Sequence, residues 1–224
     1  MNIKTLILTF GCDQKVKNRP DLLRGYFGRR FEEYVLMHHH TRENEFIYHY
    51  PLVQYKILNG KSMVLGIGVG ADVLNKIYKE ISAIEMNGDK YEIYEKVIYF
   101  ENINFGLNSA YITYSFLTTW LALNERNYEQ YQKLDNWAKK KEFLAKIIIG
   151  NIISMSKGLG YTVPEPIKAN IIKLKEINTS LKGTPMLGFL GTFSVNFEIP
   201  DYWGIGKSVS RGFGTVKRVK ESSV

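Results

Sequence analysis

Apolar and polar positions change their period several times along the first hundred residues, and each change marks an element. Ile3 to Phe10 alternates enough for a strand. Pro20 and Asp21 then open a helix, because proline fits a first turn and an acid suits the positive end of the helix dipole. Leu23, Phe27, Phe31 and Val35 recur every four residues and give that helix a buried face. Further on, "YPLVQYKIL" and "KSMVLGIGV" flank Asn59-Gly60, a dipeptide that tolerates the positive φ of a two-residue hairpin turn. "ADVLNKIYKEI" predicts a second helix and "YEIYEKVIYF" a further strand. The order is β-α-β-β-α-β, the ferredoxin-like (RRM-like) split βαβ unit.

A similar order starts again near residue 108. "YITYSFLTTWLAL" predicts a strand, "DNWAKKKEFLAKIIIGNIISMS" a long amphipathic helix, and "ANIIKLKEINTSL", "MLGFLGTFSVNFEI" and "FGTVKRVK" three more strands. Where a second crossover helix belongs, the chain has "PDYWGIGKSVSRGFG", too rich in glycine for a helix. The expected fold is therefore α+β: two tandem ferredoxin-like domains, 1–107 and 108–224, the second with a glycine-rich loop replacing a helix. In that loop Gly204, Gly206, Gly212 and Gly214 bracket Lys207, Ser208, Ser210 and Arg211, so a backbone able to approach phosphates carries basic and hydroxyl groups with it. The plainer reading of the loop is a tight connection.

Composition narrows the setting. With 224 residues, 45% of them hydrophobic, the chain can bury a real core. Its single cysteine, Cys12, excludes an internal disulfide, the short apolar run "MNIKTLILTF" is no signal peptide, and no stretch is apolar enough to span a membrane. A cytoplasmic protein without a membrane partner is expected. Residues 1–132 hold 15 Lys and Arg against 15 Asp and Glu, whereas residues 133–224 hold 15 against 7, so the whole +8 excess falls in the second part. A basic half-chain points to a polyanion, with nucleic acid first and a merely solvated surface second. Lys139, Lys140 and Lys141 read as a solvated helix face before a phosphate contact.

Two motifs imitate nucleotide sites. "GIGKS" ends like a Walker A loop, but Asp201 stands where the first glycine belongs and no helix follows. "GIGVGA", with Gly66, Gly68 and Ala71, matches a dinucleotide fingerprint between strand and helix. Its strand, however, follows its predecessor through a two-residue turn, so the two are antiparallel neighbours rather than parallel ones. No cofactor is expected.

All the chemistry of imidazole sits in one place. "LMHHHTRENEFIYHYP" contains His38, His39, His40 and His49, every histidine of the chain. A zinc site would draw on His38, His40 and His49, yet their spacing fits no standard finger and Cys12 is the only thiol, so no metal is expected. Histidine titrates unperturbed near pH 6.5 and can serve as base or acid. On an extended segment His38 and His40 share a face and His39 turns away, so the first two are the candidate pair for one substrate group. His39 and His49 read as solvent-exposed or backbone-bonded, and Tyr48, Tyr50 and Tyr55 as aromatics packed on a sheet.

A split βαβ domain with His-x-His after its first helix, then "YPLVQYK", and a closing "GIGKSVSRGFG" together resemble the CRISPR-associated repeat endoribonucleases, the guide-RNA-maturing branch of the RAMP superfamily. The likeness covers nearly the whole chain, and "MHHHTRENEFIYHYPLVQYKILNGKSMVLGIG" is most similar to the subfamily serving subtype I-B systems. The resemblance implies a protein that holds CRISPR repeat RNA and cuts it once without metal: the 2′-hydroxyl attacks the adjacent phosphate and leaves a 2′,3′-cyclic phosphate and a 5′-hydroxyl. By position it implies His38 and His40 as the catalytic pair, Arg30 as the basic residue of the preceding helix, and either Tyr48 or Tyr50 as the accompanying tyrosine. It also implies RNA contacts from Gly204, Gly206, Lys207, Ser208, Arg211, Gly212 and Gly214. A CRISPR effector complex and a second copy of the chain are the candidate protein partners. Non-catalytic RAMP proteins that only bind guide RNA share the glycine loop, and the histidine pair is what separates the two readings.

Overall fold

A computed structural model describes residues 1–38 and 50–220 of the chain. They form two compact units. One unit consists of residues 2–103 together with Val209–Gly212, and the other of Met1, residues 104–208 and Phe213 onward.

The first unit is built on a five-stranded sheet. Its elements are β1 (Asn2–Cys12), α1 (Pro20–Arg30), a single turn α2 (Val35–His38), β2 (Val53–Leu58), β3 (Lys61–Ile67), α3 (Val69–Ile77), β4 (Ala83–Met86) and β5 (Asp89–Asn104), in sheet order β2-β3-β1-β5-β4. β3 runs antiparallel to both β2 and β1, with Leu65 opposite Gln54 on one side and Ile7 on the other. Without β4 this is the ferredoxin-like order that the sequence predicts. Asn59 and Gly60 close the first hairpin with φ of 53° and 79°, and Asn87 and Gly88 close a second, β4–β5, with 52° and 87°. Leu6, Leu8 and Phe10 from β1 meet Leu23 and Phe27 from α1, and Tyr55, Val64, Leu74 and Ile84 complete the core. On the opposite face of the sheet Ile7, Leu65 and Ile67 are buried as well.

The four-residue stripe predicted for α1 does not run its full length. The helix closes at Arg30, where the Phe31 N–H returns to the Phe27 carbonyl at 3.0 Å. Val35 opens α2 and is 55% exposed, while Met37 takes the buried place. A hydrophobic period shows where a helix would continue. It does not show where the backbone stops, and here Phe31 leaves the helical region with φ −126° and ψ 54°.

Two glycines of "GIGVGA", Gly66 and Gly70, serve packing, and Gly68 takes the positive φ of the α3 N-cap. A Cβ on Gly66 would stand 2.6 Å from the Gly70 carbonyl oxygen, and one on Gly70 would run into the Leu52 carbonyl oxygen. These close approaches seat α3 on the sheet, between antiparallel strands where a dinucleotide fold would have parallel ones.

The second unit contains β6 (Gly106–Phe116), α4 (Glu125–Gln132), α5 (Trp137–Gly158), β7 (Ala169–Leu181), β8 (Thr184–Glu198) and β9 (Val216–Arg218), in sheet order β7-β8-β6-β9. This is again the ferredoxin-like order, with a glycine-rich loop between β8 and β9 in place of the second helix. The predicted strand through residue 123 ends at Phe116. "LTTWLAL" continues as irregular chain, exposed at Leu117 and buried from Trp120 to Leu123, and Trp120 stacks on Phe116 (centroids 5.2 Å apart) and bridges to Phe189. Asn124 and Asn136 cap α4 and α5 by accepting the N–H groups of Asn127 and Lys139. Lys139 pairs with Asp135 at 3.1 Å, Lys140 with Glu176 at 3.5 Å, and Lys141 donates to the Ile172 carbonyl at 2.9 Å, so the three lysines reach back to the protein as well as to solvent. Among the described residues no helix is long and apolar enough to cross a membrane.

Candidate active site and nucleic-acid interface

Two of the candidate catalytic residues, Arg30 and His38, stand at the ends of α1 and of the short α2 that packs against it. α1 starts on Pro20, buries Leu23, Tyr26 and Phe27, and finishes with Arg29 and Arg30, cations at the negative end of the helix dipole. Arg30 is exposed, and its Nη2 donates to the Glu80 carbonyl at 2.7 Å while the guanidinium lies 5.8 Å from the Phe31 ring centroid. Tyr26 beside it donates to the Ala83 carbonyl at 2.6 Å; burial pushes its hydroxyl pKa up, and the Arg30 charge works against that rise. Arg30 is thus a cation with an anchored side chain at the rim of the helix, suited to charge that develops on a phosphate.

α2 delivers His38 as its last residue. Its anchor is Met37, fully buried, whose sulfur accepts the Tyr55 hydroxyl at 3.2 Å and whose N–H donates to the Tyr34 carbonyl at 2.9 Å. His38 closes a helical turn, so the extended geometry that would place His38 and His40 on one face does not hold at its first residue. His39, His40, Tyr48 and His49 lie outside the described residues. Tyr50 is half-buried just before β2. Tyr55, expected to pack on a sheet, does so and is also what holds α2.

β2 carries two polar side chains that the sequence does not advertise. Tyr55 points into the core below α1, while Gln54 and Lys56, one residue to either side, take the opposite face, and all three are buried. Lys56 donates to Gln54 Oε1 at 3.0 Å, and burial brings its amine pKa down to about 7. In "VQYKIL" the alternation reads as a strand with a wet polar face, so nothing local marks this lysine as buried.

The glycine-rich loop is bound to the fold at each glycine. Gly204 bridges to Thr215, the Lys207 N–H donates to the Leu121 carbonyl at 3.1 Å, and a Cβ on Gly206 would meet the Trp120 indole at 2.6 Å. Ser208 adopts φ 60° and leads into a 3-10 turn, Val209–Arg211, which packs on α1 and β2. Gly212, at φ 84°, lets this turn lie close to both elements: a Cβ there would stand 2.7 Å from the Pro20 ring and 3.0 Å from the Tyr55 carbonyl oxygen. Gly214, at φ 64°, would drive a Cβ into the Ile205 carbonyl. Lys207 is exposed and Arg211 half-buried.

Sequence reasoning missed one more cation at this place. Arg24 of α1 is half-buried next to Tyr55 and the Arg211 turn, and burial first, then the Arg211 charge, lower its guanidinium pKa. Arg24 and Arg211 are far apart in the chain, so no motif could have joined them. Among the described residues no three of His, Cys, Asp and Glu gather as a metal-ligand set. Cys12 is half-buried with its thiol pKa raised by burial, the Ser62 hydroxyl opposing.

Residues 1–104 match the family model of the Cas6b N-terminal domain, and residues 106–219 that of the Cas6b C-terminal domain. A crystal structure described as Cas6b is 38% identical and superposes with a TM-score of 0.90, covering 98% of this chain and 100% of that one. Another, described as the CRISPR RNA processing endoribonuclease Cas6b, is 35% identical with a TM-score of 0.78 over the same shares. An uncharacterized protein of Methanocaldococcus jannaschii is 44% identical over 151 residues, 66% of this chain and all of that one.

Proposed function

The chain belongs to the Cas6b family, and from that premise we propose that it cuts CRISPR precursor RNA within the repeat, releasing guide RNAs by a metal-independent reaction. The observation that carries this reading is the 35% identity, across 98% of the chain, to a solved CRISPR RNA processing endoribonuclease. The placement of Arg30 and of the α2 turn that ends in His38 supports it.

In this reading the ribose 2′-oxygen attacks the adjacent phosphorus, the bond from phosphorus to the 5′-oxygen breaks, and a 2′,3′-cyclic phosphate and a 5′-hydroxyl result. His38 and His40 divide the proton work: one takes the 2′-hydroxyl proton and the other protonates the leaving 5′-oxygen. Arg30 faces the charge gathering on the phosphorane, and the accompanying tyrosine is Tyr48 or Tyr50. Lys207 and Arg211, with Ser208 and the glycines Gly204, Gly206, Gly212 and Gly214, hold the RNA backbone. The product guide passes to a CRISPR effector complex, and a second copy of the chain is the candidate protein partner.

The test uses the protein's own repeat RNA and the same RNA with one 2′-deoxy nucleotide immediately upstream of the cut. The deoxy RNA binds normally and stays whole, because only the attacking atom is gone. Cleavage of the all-ribose RNA continues in excess EDTA. Cutting of the deoxy RNA overturns the internal attack, and loss of activity in chelator, restored by a divalent ion, overturns metal independence. Tight binding of the ribose RNA without any cutting makes the chain a guide-RNA-binding RAMP protein instead.

A further inference from the structure

The geometry points to Tyr55 of β2 as a positioning residue for the cleavage step: through Met37, its hydroxyl holds the turn that ends in His38. This role rests on the RNA-cleaving reading above and adds to it a residue buried too deeply to touch RNA.

α2 is four residues long, and so short a helix has no stability of its own. Its place is set by what it is tied to, all within the unit of residues 2–103 and Val209–Gly212. Backbone bonds lead into it from the end of α1: the Tyr34 N–H donates to the Phe31 carbonyl at 3.2 Å, and the Met37 N–H to the Tyr34 carbonyl at 2.9 Å. From β2 the Tyr55 hydroxyl donates to the Met37 sulfur at 3.2 Å. Among the described residues that is the one side-chain hydrogen bond reaching residues 35–37. Val35 is exposed and Leu36 half-buried, which leaves the fully buried Met37 as the anchor.

The ring of Tyr55 and its hydroxyl have separate uses. The ring sits in the core, tilted against Phe27 with centroids 5.4 Å apart, and a phenylalanine would fill the same space. A buried hydroxyl costs free energy unless it is bonded, and a thioether is a weak acceptor, so the bond to Met37 adds little to stability. Its effect is on direction. β2 is registered on β3 from Val53 to Leu58, so Tyr55 is fixed by the sheet, whereas the methionine side chain is unbranched and flexible and settles where a partner holds its sulfur. The bond passes the rigidity of the sheet to the residue before His38. A group that transfers a proton needs such a hold, since a misplacement of about 1 Å can cost on the order of 10²-fold in rate.

The experiment compares single-turnover cleavage of the all-ribose repeat RNA with equilibrium binding of its 2′-deoxy form, using the full chain. Tyr55→Phe keeps the ring and removes the hydroxyl, and Met37→Leu keeps the volume and removes the acceptor. Each slows cleavage roughly 3–10-fold and leaves binding as it is. The double variant is no slower than either single one, because both delete the same bond. In a His38→Ala chain Tyr55→Phe causes no further loss, since the residue it places is gone. Tyr114→Phe removes a buried hydroxyl from the other unit, the acceptor of the Ile199 N–H at 2.9 Å, and leaves cleavage unchanged. Normal cleavage by Tyr55→Phe overturns the role, and so does an equal loss with Tyr114→Phe or a full additional loss in the His38→Ala chain, either of which marks a merely structural effect. Should Tyr55→Phe fail to fold, Met37→Leu decides alone, and its normal cleavage overturns the role. If the parent chain never cuts, or His38→Ala cuts as fast as the parent, the nuclease reading or the part of His38 in it falls, and the positioning role with it. If the parent cuts and His38→Ala is slow while Tyr55→Phe and Met37→Leu are normal, the nuclease reading stands and only the positioning role falls.

Discussion

Lys56 allows the burial on β2 to be measured in solution. Its side chain is fully buried, its amine donates to Gln54 Oε1 at 3.0 Å, and burial lowers the amine pKa to about 7. In the unfolded chain the same amine titrates near 10.4. Between those values the unfolded chain holds a proton that the folded protein has released. Stability rises with pH wherever the unfolded state binds more protons, so the free energy of unfolding climbs by about 1.4 kcal/mol per pH unit through this window. Below about pH 7 both states are charged and the gain is absent. Near neutral pH, then, the lysine holds the fold about 4 kcal/mol below what a neutral side chain of its size would allow.

Lys56→Met keeps nearly the same length and volume and removes the titration. The hydrogen bond to Gln54 goes with it, at about 0.5–1.5 kcal/mol, so the variant should exceed the parent by roughly 2–4 kcal/mol near pH 7. Urea unfolding followed by circular dichroism at about pH 7, 8 and 9 gives the difference between the two chains, and that difference should shrink by about 1 kcal/mol per unit as the parent gains stability. Cys12 and the tyrosines are common to both chains and cancel. Parallel curves, or a parent more stable than the variant by a constant amount, would mean that the Lys56 amine keeps its charge in the folded state, and that burial does not govern its titration.

Two further outcomes follow from the site and the fold. His38→Ala and His40→Ala should each slow cleavage about 10²–10⁴-fold, or roughly 3–5 kcal/mol of transition-state stabilisation, with RNA affinity little changed and His39→Ala and His49→Ala much milder; single-turnover rates beside equilibrium binding decide it. Gly70→Ala should destabilise the chain by about 2–4 kcal/mol, read as a fall in thermal midpoint, because its Cβ meets the backbone of Leu52, which cannot give way as a flexible side chain would.

Both sheets were legible because hydrophobic period and turn chemistry agreed in most of their strands. The Asn59-Gly60 hairpin and the strands Ala169–Leu181 and Thr184–Glu198 needed no tertiary information. Where the two signals parted, the sequence misled. "LTTWLAL" is apolar enough for a strand but runs as irregular chain that turns inward at Trp120, which is held by one bridge and by ring stacking. α4 escaped notice since "ERNYEQYQ" buries only Tyr131, leaving almost no apolar stripe to see. β4 is four residues long, and its one clear sign, Asn87-Gly88, was the same turn dipeptide that had marked the first hairpin.

The candidate site divides in the same way, by distance along the chain. Four histidines in twelve residues stand out from composition, and Arg30 follows from the end of an amphipathic helix, since both are local patterns. Lys56 differs from an ordinary strand lysine only in what lies above it, and no periodicity records that. Arg24 is further from sight still. It meets the Arg211 turn only because a loop almost at the other end of the chain folds onto its helix, and that docking depends on Gly212 tolerating φ 84° against Pro20 and Tyr55. The glycines of the loop are visible in the sequence as flexibility, yet Gly212 is used for close approach. With any Cβ at that position the Val209–Arg211 turn would be pushed from α1 and would carry Arg211 with it. Gly212→Ala should therefore lower the salt slope of RNA binding by moving Arg211, a candidate RNA-binding cation, although it removes no charge at all; an unchanged slope would refute this.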